Sequence, residues 1–243
     1  MYLEEYIYFL IVLAVCGLFA AYASHKVSST FRAYSGVRCQ SGMTGYDAAT
    51  KLLWAVDARD IRVGKVSGEL TDHYHPTKGV VNLSESTYGS ASVGAVAVAA
   101  HEVGHVVQKK RGYFPYQVRT ALVPVVNIGS RLALPLVILG ILLDLFSLTP
   151  DASVGFTVAI IGVCLYGAAT LFQLVTLPVE YNASRRAKKM LREQGVLTAE
   201  ELRGADKVLD AAALTYVAAL ATSLLYFLRF LLWVLAIFGR RRR

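Results

Sequence analysis

The 243-residue sequence predicts a mainly α-helical membrane protein with about four apolar helices and a small antiparallel sheet. Three observations lead there. The chain is 55% apolar with a mean hydropathy of +0.47, too apolar for an ordinary soluble domain. Four apolar runs approach the length needed to cross a bilayer. Between the first two runs lies a long polar stretch with short alternating segments, the pattern of half-buried strands.

Tyr6 to Ala23 is the first apolar run. Glu4 and Glu5 precede it, so it lacks the basic start of a secretory signal, and no small-residue cleavage site stands out. Residues 6–24 therefore read as a retained transmembrane helix. Lys26 to Gly42 is polar and serine-rich, a linker or irregular helix. Thr44 reads as an N-cap, with Asp47 three residues later and Ala48, Ala49, Leu52, Leu53 and Val56 at helical spacing. Asp60–Val66 and Val80–Leu83 read as strands, expected to pair antiparallel. The turn-rich GELTDHYHPTKG joins them, and the proline after His75 favours a loop there. Ala91 to Val107 reads as a closely packed buried helix of Ala, Val and Gly.

Leu132–Leu148, broken by Asp144, and Val154–Leu177 are the second and third runs. The short LTPDAS loop between them predicts a transmembrane hairpin over 131–177. A new helix is expected near Pro178, which would place Glu180 in its first turn. Residues 178–212 then form a further polar segment. Ala211–Phe238, interrupted by Arg229, is the fourth run, so 213–243 reads as a transmembrane or interfacial helix with a basic tail.

The net charge of +8 sits beside the apolar runs. Lys26, Arg32 and Arg38 follow the first. Arg119 and Arg131 precede the hairpin, and Arg185, Arg186, Lys188 and Lys189 follow it. The positive-inside rule places 25–130 and 178–210 in the cytoplasm, with the N-terminus and the hairpin tip outside. A crossing fourth run puts Arg240–Arg243 outside, whereas an interfacial path keeps them inside. Basic residues flanking spans meet anionic lipid headgroups, and no aromatic-basic recognition motif points to nucleic acid. Cys16, Cys39 and Cys164 form neither a disulfide framework nor a zinc knuckle, and fit a reducing cytoplasm.

The chemistry concentrates in His101-Glu102-Val103-Gly104-His105, an H-E-x-x-H string. On a helix, histidines four apart share a face and can close on one metal ion. Glu102 beside them is placed to take a proton from an activated water. Two histidines and a glutamate in so apolar a segment are costly unless a metal satisfies them; the bland reading is a hydrogen-bonded core histidine pair. A zincin-type site needs a third protein ligand and an open fourth position. Glu180 is the best candidate, although a first-turn glutamate is an equally ordinary explanation. Asp206 and Asp210 are weaker candidates, and Asp144 and Asp151 lie at or near the hairpin loop. His73 or His75 could ligate metal, orient substrate or stabilise an oxyanion, against the alternative of a solvated turn. Tyr181 is a further oxyanion candidate, against the commoner packing role.

The strings AAHEVGHVVQ, ALVPVVN, QLVTLPVEYNASRRA and AAALTYVAAL, with KVSSTFRAYSGVR and GELTDHYHP upstream, resemble the neutral zinc metallopeptidase family of bacterial membranes, the YugP-like proteins. The likeness covers nearly the whole chain. It implies one Zn²⁺ held by His101, His105 and Glu180, Glu102 as the catalytic glutamate, and a role for His73. It also implies a zincin-like, gluzincin-type core, with the zincin half in 25–130 and the third ligand in 178–212. The plan is similar to the HtpX-like and prenyl-protein peptidases, which often carry an acid four residues after the ligand glutamate. Here that position is Ser184, and Asn182 stands where YugP-like proteins commonly show Asp; these two are candidate outer partners of the zinc ligands.

The expected function is a multi-pass zinc endopeptidase of the bacterial cytoplasmic (inner) membrane, with its active site facing the cytoplasm. Its substrates would be polypeptides, membrane proteins among them. The alternative is a non-catalytic zinc-containing membrane scaffold or chaperone-like protein, which would not need Glu102 as a base. A site-2-type protease would need a later Asp-Gly motif, and an ATPase-linked protease a Walker A loop; neither string occurs.

Overall fold

The computed structural model describes residues 2–146 and 152–241, with side chains described for 7–146 and 154–239. The hairpin tip, Asp151 and the last two arginines lie outside the described residues. In chain order the elements are α1 (Tyr2–Ser35), α2 (Gly45–Ala55), β1 (Arg62–Val66), β2 (His73–His75), β3 (Val80–Ser84), α3 (Glu85–Tyr88), α4 (Val93–Lys110), α5 (Phe114–Leu145), α6 (Ala152–Glu193) and α7 (Ala199–Arg241). α1, α5, α6 and α7 are each long and apolar enough to cross a membrane.

The chain divides into two compact units. One comprises Phe19–Tyr116 with Pro178–Tyr216. The other comprises Met1–Leu18, Gln117–Leu177 and Val217–Arg243.

The first unit is built around α4. Val96, Ala97, Ala99, Ala100 and Val103 of this helix are fully buried against Leu52 and Leu53 of α2, Val81 and Leu83 of β3, and Leu191 of α6. Ser92 caps α4 by accepting the Ala95 N–H. Thr44 and Asp47 form a reciprocal capping box at the start of α2, as the spacing predicts. Small residues let backbones approach. A Cβ on Gly104 would lie 2.5 Å from the Ala183 carbonyl oxygen, so glycine is what allows α4 to lie against α6 here.

The sheet corrects the sequence expectation. It is mixed, with order β1-β3-β2: β1 pairs parallel to β3, and β2 pairs antiparallel to it. Alternation marks a strand but carries no direction. The connection between β1 and β3 is long enough to return to the starting end, and its middle forms β2. His73–His75 is therefore an edge strand rather than a loop, ended by Pro76.

Helix boundaries also differ from expectation: α1 continues regularly to Ser35, beyond the expected end near residue 24. α6 does not restart at Pro178 but runs through it, so Glu180 sits in the helix interior. Proline's φ is already helical; it forfeits one backbone hydrogen bond and strains the preceding turn, which surrounding packing can absorb. α5 likewise begins at Phe114, well before the apolar run, and contains Pro124 and Pro135.

In the second unit, Val137, Ala159, Val163, Val234 and Phe238 form a small core. Gly140 meets Gly155 and Ala159, and Gly162 meets Ala133, so close that added Cβ atoms would collide with backbone. Small residues at such contacts are how helices pack where there is no hydrophobic gain from leaving water.

Candidate metal centre

Helical spacing on α4 stacks His101 and His105, with ring centroids 4.8 Å apart and planes perpendicular. α6 brings Glu180 between them: its Oε2 lies 3.0 Å from His101 Nε2 and 3.4 Å from His105 Nε2. One donor atom from each of the three residues falls within 4.8 Å of the other two. Glu180 is 2% exposed and His105 8%, while His101 is partly exposed and lines the adjoining cleft.

The outer ring nitrogens are held too. His101 Nδ1 lies 3.1 Å from Ser184 Oγ, one helical turn beyond Glu180. His105 Nδ1 lies 2.9 Å from Gln108 Oε1. The Gln108 amide donates to the Val179 carbonyl at 2.7 Å and to Asn182 Oδ1 at 3.0 Å. A backbone carbonyl can only accept, so the Gln108 NH₂ must face it and Oε1 must face the imidazole. His105 Nδ1 then carries a hydrogen, and Nε2 is the ring nitrogen that faces the Glu180 carboxylate. A ring nitrogen and a carboxylate oxygen this close in a buried site need a proton or a metal cation between them. Asn182 Oδ1 also accepts from Arg186 Nε at 2.7 Å. Ser184 thus touches a site histidine directly, and Asn182 reaches one through Gln108.

The donor set passes the test for zinc. Two imidazole nitrogens and one carboxylate oxygen are the N/O ligands Zn²⁺ takes, both rings are gripped at Nδ1, and a fourth position is left for solvent or substrate.

Glu102 adjoins His101 and lines a cleft with it. Burial raises its carboxyl to about 7; the His101 charge and a hydrogen bond from the Tyr74 backbone act in the opposite direction, while Glu180 and Asp72 push it further up. The edge strand β2 thus reaches the Glu102 carboxyl through its main chain. Tyr74's own phenol is raised to about 12, first by burial, and stays neutral.

A cleft of about 250 Å³ opens on His101 and Glu102. Val27, Leu70, Val98, Val208, Leu209 and Ala212 wall it, with Asp72, Thr215 and Tyr216 as its polar members. Asp72 accepts from the Ser84 N–H and hydroxyl, tying the loop before β2 to the end of β3.

The remaining candidates lie elsewhere. His73 is exposed and bonds Thr71 O and Asn82 Nδ2, so both ring nitrogens serve the sheet. His75 Nδ1 accepts from the Lys78 N–H. Tyr181 is exposed and lines neither the cluster nor the cleft. Asp206 and Asp210 both lie near Lys188 Nζ. Asp144 is buried within the second unit. Gln108 and the Tyr74 N–H are the partners that sequence reasoning missed. Gln108 was findable, since it lies three residues after His105 on the same helical face. The Tyr74 contact had no sequence signal.

Comparison with known proteins agrees with this chemistry. A protein from Bacillus subtilis (strain 168) named "Putative membrane protease YugP" is 42% identical over 226 residues, covering 93% of this chain and 96% of that protein. No solved structure matches. Residues 7–235 match the family described as "Putative neutral zinc metallopeptidase", and the chain belongs to that family.

Proposed function

We propose that this protein is a membrane-integrated zinc endopeptidase with a gluzincin-type site: His101, His105 and Glu180 hold one zinc, and Glu102 is the general base. The observation that carries this reading is the convergence of those three donors, His105 and Glu180 buried and His101 partly so, beside a glutamate that faces a cleft. Bound zinc would supply Lewis acidity, polarising a scissile carbonyl and acidifying an attacking water. Glu102 takes the proton from that water and returns it to the departing amine nitrogen. Burial pushes the Glu102 carboxyl up from its ordinary value, the direction that favours holding the proton between the two transfers. Gln108 and Ser184 hold the imidazoles in the ligating orientation. The apolar walls of the cleft fit a hydrophobic side chain next to the scissile bond, and the free edge of β2 fits an extended substrate backbone.

The site is proposed to face the cytoplasm, because the polar segments carrying it also carry Lys26, Arg32, Arg38, Arg185, Arg186, Lys188 and Lys189. Membrane-proximal polypeptides are then natural substrates. The test is Glu102→Gln beside wild type, purified in detergent and assayed for metal content and for cleavage of an unfolded polypeptide. The expected result is wild-type zinc in both and a loss of at least about 10²-fold in the variant's cleavage rate. Unimpaired cleavage by Glu102→Gln would sink the mechanism. Full zinc with no hydrolysis by wild type would favour the scaffold reading.

A further inference from the structure

A second cavity lies apart from the one beside the candidate metal cluster. A groove of about 510 Å³ opens between α1 and α7, within the range of ligand-binding pockets. Its walls recur with helical periodicity, from Lys26 to Tyr34 on α1 and from Lys207 to Leu214 on α7. Tyr34 meets Gly204 and the Lys207 ammonium, whereas Val27 shares a cleft with Ala212 and Tyr216. The two helices are therefore antiparallel here. α1 enters the groove from its apolar run, ending just before Lys26, and α7 leaves it into its own run, beginning at Ala211. Both runs are overwhelmingly unburied by protein. The groove thus sits where two bare apolar helices turn polar at the same end.

Its polar groups select charge. Lys26 and Lys207 have no carboxylate partner among the described residues; Lys207 only lies over the Tyr34 ring, 5.9 Å away. The one acid in the groove, Asp210, is matched by Lys188 at 2.7 Å. Thr30 adds a hydroxyl. Two unmatched ammoniums over a largely apolar floor suit an anion that carries hydrocarbon.

We propose that this groove binds one anionic glycerophospholipid, its charged headgroup toward Lys26 and Lys207 and its hydrocarbon against Ala33, Ala211 and Leu214 of the groove wall. The full chain, purified in mild detergent and stripped of lipid, is titrated with phosphatidylglycerol or phosphatidylcholine, and bound lipid is counted by native mass spectrometry. Wild type is expected to retain one lipid with about tenfold preference for the anionic headgroup. The Lys26→Gln/Lys207→Gln double variant should lose that preference. Both lysines are exposed, so its melting temperature and zinc content should match wild type. Leu214→Trp, which fills the groove, should lose retention as well. Equal binding of the two lipids by wild type, or an unchanged preference in the double variant, would overturn the proposal. Displacement of the lipid by millimolar inorganic phosphate would overturn it in favour of a free-phosphate site.

Discussion

Gln108 shows how much of a metal site can rest on one neutral side chain. Its amide is fully used: two hydrogens on fixed acceptors and one oxygen on His105 Nδ1. That choice of acceptors, not the histidine itself, decides which ring nitrogen is free to ligate. Gln108→Leu should keep the fold's apolar contacts but release the ring. Zinc affinity, measured by competition with a chromogenic chelator, is expected to fall about 10- to 100-fold. ¹⁵N shifts of metal-free protein should show His105 moving from a pure Nδ1–H tautomer to a mixture. Unchanged zinc affinity would show that Gln108 only fills space. At the same scale, Ser184 lies against His101 and Asn182 reaches His105 through Gln108, each offering an oxygen that can accept a hydrogen.

Among the elements, α4 and α6 make the site, and Gly104 is the point at which they meet. Gly104→Val puts bulk against the Ala183 carbonyl, where the neighbour is backbone and cannot step aside. The expected cost is about 1–3 kcal/mol, read as a lowered melting temperature. Zinc should be lost even though all three ligands are intact, since Glu180 lies one turn from the displaced contact. The start of α2 makes a separate prediction. Thr44→Ala removes the cap acceptor and should cost about 1 kcal/mol at neutral pH. Asp47, its partner in the box, is held below the ordinary carboxylate value, first by the Thr44 hydroxyl and then by the Thr44 N–H. A depressed carboxyl contributes stability above its unfolded value of 3.8 and loses it as pH falls through the lower folded value. The stability gap between wild type and Asp47→Ala should therefore be flat near neutrality and narrow only below about pH 4. Most elements were legible from period and punctuation. The α2 cap, the α4 helix and the two longer strands announce themselves locally. The direction of β1 against β3 did not, and neither did the passage of α6 through Pro178, because each depends on what packs outside the segment.

For the whole molecule, the unit that holds the candidate site is assembled from two stretches of chain, 19–116 and 178–216, with residues 117–177 assigned to the other unit. His101 and His105 come from the first stretch and Glu180 from the second. Placement of this unit in the cytoplasm can be checked with single-cysteine variants in which Cys16, Cys39 and Cys164 are replaced. Lys78→Cys, in the exposed turn between β2 and β3, should resist a membrane-impermeant maleimide in intact cells and react after permeabilisation. Labelling in intact cells would reverse the proposed orientation. The amino-acid sequence by itself determined the apolar runs, their basic flanks and the H-E-x-x-H helix. Each is governed by hydropathy, charge or the fixed pitch of one helix, which act over a few residues. Only the tertiary structure decided that Glu180, 79 residues from His101, meets both imidazoles, that Gln108 sets the His105 tautomer, and that the sheet is mixed. Those outcomes depend on side chains from distant segments arriving at the same few ångströms, and spacing along the chain carries no measure of that distance.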